Sequence, residues 1–135
     1  MIVRYSLTLD DHLAWYDYFL GTPAGSRSRS ALPIIGSWLS QRRRQRYARQ
    51  ILATSSSLGD RNLELSADGV REFSDLFDFV TRWQDISLVA TTGRHLFIAH
   101  ASMNAHIVPV SVFASHTDRD AFTSFAQSHA ATPNI

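Results

Sequence analysis

At 135 residues, 44% hydrophobic and 19% charged, the chain has the length and composition of one globular domain that can bury a core without staples. It has no cysteine, which excludes disulfides, thiolate metal sites and cysteine nucleophiles, and its thirteen basic residues are all arginine, which closes lysine Schiff-base and P-loop chemistry. The net charge of +1 is unevenly placed, because residues 1–60 hold eight arginines against four acids and residues 61–135 hold five against eight. Attraction to an anionic partner therefore belongs to the first half.

Ile2 to Thr8 alternates and is rich in β-formers, so it predicts a strand. Thr8 and Asp11 have the spacing of a capping box, and Leu9, Leu13, Tyr16 and Leu20 then fall on one helical face. Residues 21–30, rich in Gly, Pro, Ser and Arg, form a linker. A second helix is expected over 31–53 with Pro33 in its first turn. Its stripe of Ile35, Trp38 and Leu39 continues as Arg42, Arg46 and Arg49, with Tyr47, Ala48, Ile51 and Leu52 on roughly the opposite side.

From Asn62 the period is close to two, predicting strands near 62–66, 70–74, 77–83, 86–92, 94–100 and 105–110. Asp68-Gly69, Thr92-Gly93 and 102–104 are the expected hairpin turns, and Pro109 marks an edge strand or a strand end. A closing helix is expected from Thr117, with Ala121, Phe122, Phe125, Ala126 and His129 as its apolar face. These elements give an α+β fold: a seven-strand antiparallel barrel or sandwich of pleckstrin-homology-like type, with a C-terminal helix and a two-helix insertion after the first strand. The whole chain, 1–135, is expected to be one domain: strand and helix over 1–20, linker and Arg-rich helix over 21–60, sheet and closing helix over 61–135. No stretch reads as a signal peptide, and Ala31 to Leu39 is far short of the roughly 20 residues a spanning helix needs.

Four blocks in fixed order resemble the YcxB-like family of bacterial proteins. They are Val3 to Leu13, Leu63 to Val70, Arg82-Trp83-Gln84-Asp85-Ile86, and Ile107 to Phe113 followed by Phe122. The resemblance implies a pleckstrin-homology-like domain, usually of unassigned function and without established catalytic residues. It also implies two membrane-spanning helices between the first helix and the sheet. The chain departs from that pattern, since between Gly21 and Asp60 there is room for a linker and one ordinary helix.

The arginine run Arg42, Arg43, Arg44, Arg46 and Arg49 is the one partner signal in the sequence, suited to the phosphates of lipid headgroups or, as the lesser alternative, of nucleic acid. A solvated helix face or pairing with the acidic second half is its plainer reading, and no RNA-binding or helix-turn-helix signature points to nucleic acid. Trp15, Tyr18, Phe19 and Trp38, with Tyr16 beside them, exceed what a single apolar stripe needs. Core packing explains them first, and an interface or helix-mediated dimer second. Trp83 reads as core or a strand-end anchor, with Asp85 in the turn beneath it. His95 and His100 differ in parity, while His100 and His106 flank a turn across which they can meet. No third metal ligand is evident, no cofactor motif occurs, and no Gly-x-Ser-x-Gly elbow is present. The expectation is a non-catalytic cytoplasmic binding module, working at the inner face of the membrane or on a protein partner through its helical insertion. The alternatives are a helix-mediated homodimer with a structural role and a histidine-based enzyme.

Overall fold

The computed structural model describes residues 1–21, 33–54, 56–100 and 104–130, with side chains for all of these except 21 and 33–38. The linker therefore lies outside the described residues, as do the side chain of Trp38 and the expected turn over 102–103. The chain divides into two compact units, Thr8–Leu58 and a second made of Met1–Leu7 with Gly59–Ile135.

The larger unit is an α+β fold of seven antiparallel strands in two sheets. Strands β1 (Ile2–Leu7), β2 (Gly59–Leu65), β3 (Gly69–Phe73) and β4 (Asp78–Arg82) pair in that order in the first sheet. Strands β5 (Ile86–Thr91), β6 (His95–His100) and β7 (Ala105–Pro109) pair in order in the second. Among the described residues the strands form two separate ladders, so the barrel expected from the strand count is not closed by hydrogen bonds. A single 3-10 turn, Trp83–Asp85, carries the chain from one sheet to the other.

Period-two alternation places Tyr5, Leu7, Leu63, Leu65 and Val70 on the buried side of the first sheet. In the second sheet Leu96, Phe97, Ile98 and Val108 are fully buried. Trp83 anchors the corner: its ring is 7% exposed and its Nε1–H donates to the Ser66 carbonyl at 2.7 Å. Helix α3 (His116–His129) begins one residue before the expected start, because Ser115 caps it by accepting the Asp118 N–H at 3.1 Å. Phe122 and Ala126 are buried, whereas Ala121, expected on the apolar face, is exposed.

The Asp68-Gly69 expectation located the right hairpin and the wrong reason for its glycine. Ser66 N–H donates to the Gly69 carbonyl, so Ala67 and Asp68 form the loop and Gly69 opens β3 with an ordinary φ. What excludes a side chain there is space, since a Cβ on Gly69 would lie 2.3 Å from the Thr81 carbonyl oxygen. The positive φ belongs instead to Gly59 (+97°), where the chain returns to the sheet.

The smaller unit holds α1 (Leu9–Gly21) and α2 (Pro33–Ala53). Its capping box is reciprocal: Thr8 N–H donates to Asp11 Oδ2 at 2.9 Å, and Asp11 N–H donates to Thr8 Oγ1 at 3.3 Å. The two helices meet through the Tyr16 and Tyr47 rings, 4.8 Å apart, and His12 Nε2 donates to the Ser57 carbonyl. No helix among the described residues is long and apolar enough to cross a membrane.

Candidate functional site

Two groups of side chains are candidates, one in each unit. The first is the arginine run on α2. Arg42, Arg43, Arg44, Arg46 and Arg49 are all exposed, while Tyr47, Ala48 and Ile51 are half-buried. The helix thus turns an aromatic and aliphatic side inward and spends its charge outward. The arginines are not equivalent: Arg44 makes a two-pronged contact with Asp17 on α1, Nε to Oδ1 at 3.1 Å and Nη2 to Oδ2 at 3.2 Å. That hydrogen bond raises the already high guanidinium pKa against the opposing effect of burial. Arg44 is therefore part of the helix–helix contact. Leu39 and Leu52 are exposed at either end of the run.

Of the aromatic candidates, Trp15 is 2% exposed, and its ring stacks on Tyr18 at 6.1 Å and leans on Phe19 at 5.8 Å. Tyr18 and Phe19 are half-buried. Trp15 thus sits as a core residue does, and Trp38 cannot be placed beside it.

The second group lies inside the larger unit. Glu72 on β3 is 6% exposed and is met by three partners. Its Oε2 accepts from Arg61 on β2 at 3.2 Å, and its Oε1 accepts from the Tyr5 hydroxyl on β1 at 3.4 Å and from His106 Nδ1 on β7 at 3.1 Å. His106 Nε2 lies 3.2 Å from Thr81 Oγ1 on β4, and the same hydroxyl lies 3.3 Å from His100 Nε2 on β6. A carboxylate only accepts, so Nδ1 of His106 carries a proton. The Thr81 hydroxyl is then shared between two imidazoles.

Burial alone would raise the Glu72 carboxyl, but the His106 hydrogen bond and the charges of His106 and Arg61 outweigh it and hold the pKa low. The Tyr5 hydroxyl is pushed strongly upward, first by burial and then by the Glu72 charge. His100 is lowered by burial and then by His106, with Asp85 opposing. The cluster ties six strands of two sheets together through hydrogen bonds, several of them charge-assisted.

His100 and His106 do approach, their ring centroids 6.1 Å apart, while His95 stacks on Phe97 at 5.6 Å on another face. Among the described residues no three histidine, aspartate or glutamate side chains converge as a metal site. Tyr5, Arg61, Glu72 and Thr81 did not stand out in the sequence. The signal was present, since Arg61 is in phase with Leu63 and Leu65, and Glu72 with Val70. Two opposite charges at inward positions announce a buried pair. Starting the second strand at 62 left Arg61 outside it.

Residues 65–126 match the family model described as YcxB-like protein. No curated protein and no solved structure matches the chain. The match takes in three of the four blocks that carried the resemblance in whole or part, and it leaves out Val3 to Leu13. Over residues 65–126, from the end of β2 through most of α3, the chain is similar to the YcxB-like family.

Proposed function

We propose that the protein is a non-catalytic binding module that meets an anionic lipid surface through the arginine face of α2. The observation that carries this reading is the division of that helix. Arg43, Arg46 and Arg49 are exposed, while Tyr47, Ala48 and Ile51 turn inward. Basic residues at a membrane surface contribute about 1 kcal/mol each, so three give roughly a hundredfold preference for anionic over neutral lipid. Exposed Leu39 and Leu52 add apolar contact at the ends of the run. We read the larger unit as pleckstrin-homology-like, on the four-plus-three strand order and the closing helix, and place the protein in the cytoplasm at the inner membrane face. Co-sedimentation with vesicles of phosphatidylcholine alone and with added phosphatidylserine tests this. Binding should require the anionic lipid, weaken with salt and vanish in the Arg43→Gln/Arg46→Gln/Arg49→Gln variant. Equal binding to neutral vesicles, or binding unchanged in that variant, overturns it.

A second reading, an enzyme, rests on the line Glu72–His106–Thr81, in which carboxylate, imidazole and hydroxyl are joined in the order that activates a nucleophile. A structural role accounts better for a hydroxyl that is 6% exposed on its residue and shared with His100. Covalent labelling of Thr81 by a fluorophosphonate would reverse that preference.

A further inference from the structure

The free edge of β4 differs from the other sheet edges. β4 ends the first sheet, and among the described residues no strand pairs with its far side. The phase of its hydrogen bonds follows from the hairpin, where Ser74 N–H donates to the Phe77 carbonyl at 2.8 Å. In an antiparallel ladder bonded and non-bonded pairs alternate, so residues 77, 79 and 81 bond to β3 while Asp78, Val80 and Arg82 direct N–H and C=O outward. Edges of this kind are normally blunted. The other three are: β1 carries one charge, Arg4, which would face its own copy in a centred pairing, β5 has a register irregularity between Ile86 and Leu88, and β7 ends in Pro109.

β4 has no bulge, no proline and no charge at its centre, and carries exposed apolar surface there instead. Val80 is 59% exposed, Phe79 47%, and Leu76 in the adjoining turn 73%. Its charges are arranged around Val80 with two-fold symmetry, Asp78 two residues before and Arg82 two residues after. Antiparallel pairing of two copies centred on Val80 sets Asp78 of each against Arg82 of the other, with all three outward-directed residues in hydrogen-bonded positions. Asp78 and Arg82 side chains are 53% and 69% exposed, and Arg82 is held on its own chain by Asp85 only at the 4.0 Å limit of an ion pair, so both can reach such a contact. Asp78 keeps Arg71 on its own chain, since one carboxylate accepts from both.

We infer that β4 is a homodimerisation edge, pairing antiparallel with β4 of a second copy about Val80. The strand is short and the contact is of the small, transient class, so self-association should be concentration-dependent. Sedimentation velocity of the full chain from roughly 10 µM to 1 mM tests it. The wild type should dimerise across that range. Val80→Pro should abolish the dimer and leave the circular dichroism unchanged, because the N–H it removes points away from β3. Asp78→Arg and Arg82→Asp should each weaken the dimer at least tenfold, and an equimolar mixture of the two should restore it, since every pair across the mixed edge is then of opposite charge. A chain monomeric throughout, a dimer indifferent to Val80→Pro, or no recovery on mixing overturns the inference. Indifference to Val80→Pro would point to the helices as the contact instead.

Discussion

Nδ1 of His106 stands 3.1 Å from Oε1 of Glu72, joining the second sheet to the first at a point where both residues are almost wholly buried. The same carboxylate holds Arg61, and so balances the one guanidinium among the described residues that the fold takes almost completely out of water. Removing one member of such a group leaves the others buried and unpaired, which is far worse than never having buried them.

Acid should therefore loosen the larger unit in two stages. His100 is held below the ordinary 6.5 of a histidine, so the unfolded chain binds a proton there first. Its contribution is present above 6.5 and is lost as pH falls from there to its lowered value. Glu72 is held below the ordinary 4.5, so its contribution is complete above 4.5 and is lost as pH falls through its own lowered pKa. Urea unfolding between pH 7.5 and 3.5 should show both declines. Glu72→Gln should erase the second and cost about 3–5 kcal/mol at neutral pH.

Gly69 and Gly93 should respond oppositely to alanine. At Gly69 the new Cβ meets the Thr81 carbonyl at 2.3 Å, and backbone cannot swing aside, so about 1–3 kcal/mol or more should be lost. At Gly93 nothing lies within 4 Å and φ is ordinary, so Gly93→Ala should be neutral or stabilise by roughly 0.4–1 kcal/mol. Thermal denaturation of the two variants side by side decides it.

Trp83→Phe keeps the ring contacts with Phe125 and His129 but leaves the Ser66 carbonyl without its indole donor. The expected loss is about 1–3 kcal/mol. Trp83→Ala, which removes the ring as well, should cost about 3–5 kcal/mol. Chemical denaturation that shows no difference between these variants would remove Trp83 as the anchor of the corner.

Asp17→Asn should strengthen anionic-vesicle binding severalfold. It deletes an acid from the helical unit and releases Arg44 outward. Both side chains of the pair are about half exposed, so stability should fall by less than about 1 kcal/mol. Weaker binding in this variant would count against the arginine face as the contact.

The elements that repeat a simple period were legible from the residues. Every strand, all three helices, the Thr8 cap and the corner at Trp83 follow from alternation, spacing and turn chemistry. The polar cluster was not, because its members lie far apart in sequence and become neighbours only through pairing. Tyr5 and Arg61 face each other in the β1–β2 register across the whole helical insertion. His106 reaches Glu72 from another sheet, and no local pattern encodes that distance. Gly69 shows the same limit on a small scale, since its constraint comes from Thr81 on the neighbouring strand rather than from its own turn.

Leu7 and Gly59 are register partners at the end of the β1–β2 ladder. The chain between them leaves and re-enters the sheet one strand spacing apart, roughly 5 Å. Pairing of β1 with β2 thus asks of that chain only that its two ends stay close. A short hairpin turn could take the place of both helices and leave every strand pair intact. In terms of strand pairing the helical unit is an insertion at one end of a single ladder, and the pairing sets no limit on its length.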